Sequence, residues 1–183
     1  MNTILRALRP TLGLLAAVLL ATALAGCLIP SAESPPAAGA PEVTRAEVVG
    51  HTDGDTIRVR MPDGTRERVR LIGIDTPEVG ERSEPLGEEA SAFTAGEVPR
   101  GSTVWLETDV ELRDRYGRLL AYVWLEQPES ADEATIRSSM LNARIAVEGY
   151  ANAYTYVPNV KYQGLLGECE SDARAAGRGL WAE

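Results

Sequence analysis

The sequence predicts an α+β, mainly β domain: a closed barrel of five short strands capped by about three helices. Three observations carry that expectation. Runs that alternate apolar and charged residues recur between residues 44 and 125, clusters of turn residues separate them, and helical periodicity is confined to segments that end in glycine.

Val48-Val49 marks the first strand. Ile57-Arg-Val59-Arg-Met61 alternates strictly, and Arg68-Val69-Arg70-Leu71-Ile72 follows across Pro62-Asp63-Gly64, the residues of a tight hairpin turn. Three antiparallel strands therefore open the domain. Gly87 to Gly96 carries early acids and a closing glycine, which predicts a short helix. Two further strands are expected near Thr103–Glu107 and Leu119–Leu125, around a turn at Arg113-Asp-Arg-Tyr-Gly117. Gln127–Ser138 is polar and acidic and reads as a surface insertion without a motif. Met140–Glu148 and Tyr162–Ala176 read as helices ended by Gly149 and Gly177. In the second of these, Leu165, Cys169, Ala173 and Ala176 are expected on one face, which makes Cys169 a small core residue. Five strands and three helices in this order have the shape of an OB-fold, and no internal repeat points to a solenoid.

A chain of 183 residues allows one ordinary domain plus appendages. Residues 1–26 carry Arg6 and Arg9, then an apolar run too short for a spanning helix, which needs about 20 residues. They read as a secretory signal. The ending Leu24-Ala25-Gly26-Cys27 resembles a prokaryotic lipobox, in which Cys27 is lipidated. An uncleaved anchor, or an ordinary signal followed by a chance cysteine, stays open as the alternative. Either way the domain is expected outside the cytoplasm, on the outer face of the membrane through a lipid on Cys27, or secreted. Residues 27–42, with four prolines among Ala, Ser and Gly, read as a flexible tether, and residues 43–183 as the domain.

Charge sets a puzzle. The chain has 18 basic and 27 acidic residues, net −9, and loss of Arg6 and Arg9 with the signal takes it to −11. All the basic residues except Lys161 are Arg. Such an average field repels a polyanion, so a nucleic-acid partner needs a local cationic site or a bridging metal, and a weak, salt-sensitive grip on long polymers is expected. With His51 the single histidine and Cys27 and Cys169 the two cysteines, a closed Cys/His zinc site is excluded, and carboxylates must do most of any metal binding.

Three segments concentrate polar residues at strand ends: Asp53-Gly54-Asp55-Thr56, Arg70 to Glu78 with Asp75-Thr76-Pro77-Glu78 at its close, and Asp114-Arg115-Tyr116-Gly117-Arg118. Singly, each has a plain structural explanation as a turn, a helix start or a hairpin tip. Together they are more specific. Asp55 and Asp75 end neighbouring strands, so their carboxylates and a carbonyl near Thr76 suit a hard cation such as Ca2+. Arg70 shares a strand face with Arg66 and Arg68, where it would be a solvated charge, yet its spacing from Asp75 also carries it to the barrel mouth. Arg118 reaches the same mouth from the turn. Two guanidiniums beside a bound cation form a clamp for a phosphoryl group, and Glu78 is left as a carboxylate to take a proton from water.

These segments, with Glu89-Ala-Ser-Ala-Phe-Thr94, Asp114 to Tyr122, Ala153-Tyr-Thr-Tyr156, Pro158-Asn159 and Leu180-Trp181, resemble the staphylococcal nuclease (thermonuclease) family in the same order over about residues 44–183. The resemblance implies a Ca2+-dependent phosphodiesterase on an OB-type barrel that cleaves DNA and RNA, preferring single-stranded or unpaired regions, and leaves 3′-phosphates. It implies Asp55 and Asp75 as calcium ligands with the Thr76 carbonyl, and Asp53 just outside them. Glu78 matches the general base, and Arg70 and Arg118 match the arginines that bind the phosphate. Asp114, Arg115, Tyr116, Tyr154 and Tyr156 match the substrate-binding positions, Arg115 standing where the family has lysine. By their own pattern, Tyr154 and Tyr156 would be a half-buried strand-like edge. Departures are the shorter Val79–Gly87 loop, acidic through Glu81 and Glu84 with Glu88 beyond it, the 127–138 insertion, and the overall acidity. No obligate protein partner is implied, and a monomer is expected.

Two other classes compete. A non-catalytic nucleic-acid or protein-binding module on the same barrel would be expected to have lost the acids and arginines of the site, all of which are present here. An envelope protein using calcium only for stability accounts for the two aspartates and leaves the two arginines without a task.

Overall fold

The computed structural model describes residues 39–182. The signal segment, Cys27 and most of the tether lie outside them. Strands β1 (Thr44–His51), β2 (Thr56–Arg60), β3 (Arg66–Leu71), β5 (Thr103–Glu107) and β6 (Leu119–Trp124) close into a barrel in the order β1-β2-β3-β6-β5. Two dipeptide strands, β4 (Ile74–Asp75) and β7 (Asn152–Ala153), pair outside it. Helices α1 (Gly87–Glu97), α2 (Glu133–Ser139), α3 (Leu141–Val147) and α4 (Gln163–Ala175) complete the fold, which is the OB-type α+β barrel expected. Among the described residues no helix is long and apolar enough to cross a membrane.

The strands form where alternation demands a buried face. Val48, Ile57, Val59, Val69, Leu71, Val104 and Leu120 point into one apolar core. β1, β2 and β3 are antiparallel as expected, and the turn at Asp63-Gly64 is tied by Met61 N–H to Thr65 O and by the Asp63 carboxylate to Thr65. β3 pairs with β6 in parallel, which closes the barrel. β6 is buried from Leu120 through Trp124 because α3 covers its outer side. Asn142 of α3 stitches that layer, accepting from Val123 N–H at 2.9 Å and donating to Ile72 O at 2.8 Å.

Two expectations need correction. Residues 127–138 are not a featureless insertion. Asp132 accepts from Thr135 N–H at 2.9 Å and caps α2, which buries Ile136 and sends Arg137 to Asp172 of α4 at 3.0 Å. The described residues therefore hold four α-helices, where about three were expected. On α4 the buried stripe is Leu166, Cys169 and Ala173, not Leu165, Cys169, Ala173 and Ala176. Gly73 sets that rotation: with φ +81 its backbone meets the Leu166 side chain, and no Cβ would fit between. Cys169 is fully buried, as expected of a small core residue.

Candidate active site

The site grows from the turn between β1 and β2. Asp53 accepts the Asp55 N–H at 3.1 Å, a local side-chain turn that points the next carboxylate back across the barrel mouth. Asp55 is 5 % exposed. Its Oδ2 accepts from Thr76 N–H at 3.0 Å and Thr76 Oγ1 at 3.2 Å, and its Oδ1 from Thr56 Oγ1 at 3.1 Å. Gly54 permits this approach, since a Cβ there would lie 2.8 Å from Thr76 Oγ1. Thr94 of α1 pins the same turn, donating to Gly54 O at 2.6 Å.

Arg70 is opposite Thr56 in the β2–β3 register and is 7 % exposed. It is not the solvated charge its strand face allows. Its two terminal nitrogens reach Asp55 Oδ2 at 2.5 Å and Asp75 Oδ1 at 2.7 Å, so two carboxylates converge on one cationic group. Burial pushes the Asp55 carboxyl up to about 6, with Asp53 adding to it, while Arg70 pulls it back. Asp75 is also raised, by burial first and then by Asp55, against the same guanidinium. Asp55, buried, and Asp75, open to solvent, are the carboxylates here that could be offered to a hard cation. Among the described residues no cluster of three or more acidic, His or Cys side chains is gathered for a metal. Carbonyl, water and substrate oxygens would complete the coordination.

Arg118 comes from the β5–β6 connection. Gly117, with φ +75, turns the chain so that the Asp114 carboxylate accepts from Tyr116 N–H and Arg118 N–H, both at 2.9 Å, and from Arg118 Nε at 2.6 Å. The guanidinium extends to within 3.5 Å of Thr56 Oγ1, next to Asp55. Beside it Asp114, Arg115, Tyr116, Tyr154 and Tyr156 line an open cleft of about 440 Å3. Tyr154 and Tyr156 meet edge to face with centroids 6.1 Å apart. Neither lies within β7, although Tyr156, half-buried, forms an antiparallel bridge with Asn159. β7 ends at Ala153, and its pairing with β4, extended by Tyr154 N–H to Gly73 O at 2.9 Å, sets Asn152 opposite Asp75 and carries the chain on into the cleft that the tyrosines line.

Glu78 lies three residues beyond Asp75 with an exposed side chain. Its backbone is fixed by Glu84: the Glu78 N–H donates to Glu84 Oε2 at 3.1 Å, and its carbonyl accepts from Glu84 N–H at 2.9 Å. Three residues that support the site carry no such role in the sequence. Thr94 was visible only as part of a helix. Thr56 stands there as the close of an Asp-Gly turn. Asn159, 1 % exposed, locks the cleft by exchanging both amide bonds with the Glu111 backbone, at 2.7 and 2.8 Å. Its signal is a buried amide among exposed loop residues, which no local pattern reveals.

A helix-capped OB-type barrel with carboxylates, two arginines and a tyrosine cleft gathered at one mouth is the class that fold and site define. The chain belongs to the staphylococcal nuclease family: residues 68–183 match the family described as staphylococcal nuclease homologue. It is similar to the thermonuclease of Staphylococcus hyicus, 38 % identical over 139 residues, which cover 74 % of this chain and 75 % of the relative. The thermonuclease of Staphylococcus intermedius is 42 % identical over 132 residues, 70 % and 71 % of the two chains. Endonuclease YncB of Bacillus subtilis (strain 168) is 34 % identical over 135 residues, 72 % of this chain and 58 % of its own.

Proposed function

We propose that the protein is a calcium-dependent nuclease that hydrolyses phosphodiester bonds of DNA and RNA, leaving 3′-phosphates, at the outer face of the cell membrane to which a lipid on Cys27 would hold it. The observation that carries the catalytic reading is the convergence of Asp55, Asp75 and Arg70 beside Arg118 and the tyrosine cleft. The export signal and the Leu24-Ala25-Gly26-Cys27 sequence support the location.

Asp55 and Asp75, with the Thr76 carbonyl, would hold the calcium, which when bound supplies Lewis-acid polarisation of a phosphoryl oxygen. The chain's own groups divide the remaining work. Glu78 accepts a proton from the attacking water, whose oxygen bonds to phosphorus as the bond to the 5′-oxygen breaks. The 5′-oxygen leaves and is protonated from solvent. Arg70 and Arg118 donate to the non-bridging oxygens, where charge grows in the transition state. Tyr116, Tyr154 and Tyr156 offer faces on which a base or sugar packs, without selecting its sequence.

The full chain is to be incubated with single-stranded DNA and RNA, in Ca2+ and in chelator, beside Glu78→Gln and Arg118→Ala. Each variant is expected to lose on the order of a hundredfold in rate, chelator to abolish cleavage, and the products to carry 3′-phosphates. Equal trace activity in wild type and variants, or activity indifferent to chelator, refutes the proposal.

A further inference from the structure

The outer face of the β2–β3 hairpin holds arginines that cleavage at the barrel mouth leaves without a task. In the hairpin register Arg60 stands opposite Arg66, Arg58 opposite Arg68, and Thr56 opposite Arg70. Alternate residues share a face, so Arg66, Arg68 and Arg70 form one row, with Arg60, Arg58 and Thr56 beside it. The first four arginines are exposed, whereas Arg70, at the end of the row, is buried in the site.

Like charges directly opposite one another destabilise a sheet, and this hairpin carries two such pairs in succession. The nearby acids offset only part of this charge. Glu47 reaches Arg60 at 3.4 Å, and both oxygens of Glu67 are taken by Arg113, at 2.7 and 2.9 Å. Arg100 joins the four from the α1–β5 connection, and the group lines an open cleft of about 460 Å3. A concentration of this sign in a chain of net charge −9 is not a consequence of composition. A strand rise of about 3.3 Å per residue sets successive arginine pairs about 6.6 Å apart, on the scale of neighbouring phosphates in an extended single strand.

We propose that this arginine ladder is a second polyanion-binding site, which grips the backbone of a single-stranded polynucleotide and leads it toward Arg70. The proposal rests on the nuclease reading for what happens at Arg70, but the grip itself needs no cleavage. Contacts to phosphate carry no sequence information, so DNA and RNA are held alike. A membrane of anionic lipid would meet the same four charges. It is the poorer fit, because the ladder runs on into a buried guanidinium that a flat surface does not reach.

The test uses the full chain with Arg58, Arg60, Arg66 and Arg68 changed to Gln, all together and as the pair Arg58→Gln/Arg68→Gln, against the same positions changed to Lys. Binding of a long fluorescent single-stranded DNA is titrated in chelator across a salt series. Cleavage of that strand and of a dinucleotide is then measured in Ca2+, and pelleting is measured with phosphatidylglycerol and phosphatidylcholine vesicles. At about 0.7 per phosphate contact, the fourfold Gln variant flattens the slope of log K against log salt by about 3, and the pair by about 1.4. The ratio of kcat/KM for the long strand to that for the dinucleotide falls about tenfold or more, through KM, and the Lys variants keep most of it. Relief of the cross-strand repulsion leaves the pair variant melting at or above wild type, which separates lost binding from lost folding. An unchanged salt slope with an unchanged substrate ratio overturns the ladder. Loss of phosphatidylglycerol binding with polymer binding intact also overturns it and assigns the face to a membrane. A wild type that binds the strand with the full slope yet cleaves nothing refutes the nuclease reading and leaves the ladder standing.

Discussion

Asp114→Asn changes one atom in the loop that presents Arg118. Oδ1 accepts two backbone N–H groups, from Tyr116 and Arg118, and an amide oxygen can keep both. Oδ2 accepts from Arg118 Nε at 2.6 Å, and the amide nitrogen that replaces it sets a donor against a donor. A hydrogen bond to a charged group contributes about 1.5–3 kcal/mol. The Arg118 side chain is 23 % exposed, so solvent screening places the loss at the lower end, about 1.5–2 kcal/mol. Burial alone would raise the Asp114 carboxyl, but the bonds from Arg118 and Tyr116 outweigh it and hold it below the usual carboxylate range. A native pKa below the unfolded value stabilises the fold fully above the unfolded pKa of about 3.9, and that stability is lost as pH falls through the native value. Urea unfolding of wild type and Asp114→Asn is therefore expected to differ fully at pH 7 and to converge in acid. Because the guanidinium loses its tether, cleavage at saturating substrate falls roughly tenfold to a hundredfold, the cost of a misplaced catalytic group. Equal stability at pH 7 with an undiminished rate would show that the Asp114 tie does not place Arg118.

Gly54→Ala puts a methyl 2.8 Å from Thr76 Oγ1 and 3.0 Å from its Cβ. Urea unfolding should show an overpacking loss of about 1–3 kcal/mol, and calcium titration a weaker site, because the turn between the two aspartates must open. Glu107 of β5, 2 % exposed, accepts from Trp124 Nε1 at 2.8 Å, Tyr162 Oη at 3.0 Å and Lys161 Nζ at 2.5 Å. Glu107→Gln turns one acceptor into a donor facing them and should cost about 3 kcal/mol in the same assay, with activity per folded molecule unchanged. Calcium at about a hundred times its Kd should stabilise the fold by about 2.7 kcal/mol. Scanning calorimetry of Asp75→Asn should show most of that gain missing.

Much of this protein was legible along the chain. Alternation in Ile57–Met61 and Arg68–Ile72 determined two strands, since a half-buried strand needs one apolar face. Gly149 and Gly177 marked where α3 and α4 stop, whereas Gly96 lies inside α1, which runs on to Glu97, and the types of Asp55, Arg70, Asp75, Asp114 and Arg118 announced a site that joins carboxylates to guanidiniums. The Ser130-Ala-Asp132-Glu133 sequence ahead of Ile136 held a capping signal that the surrounding polarity concealed.

Tertiary structure decided what depends on pairing between distant segments. The parallel match of β3 with β6 closes the barrel, and the match of β4 with β7 sets Asn152 opposite Asp75 and Ala153 opposite Ile74 across some eighty residues of chain. The row Arg66, Arg68, Arg70 is uniform in sequence, yet Arg70 is buried between two aspartates while the other two stay in solvent. A strand's own pattern assigns residues to faces; which end of a face is roofed is settled only when the β1–β2 turn and the segment after β3 fold over it.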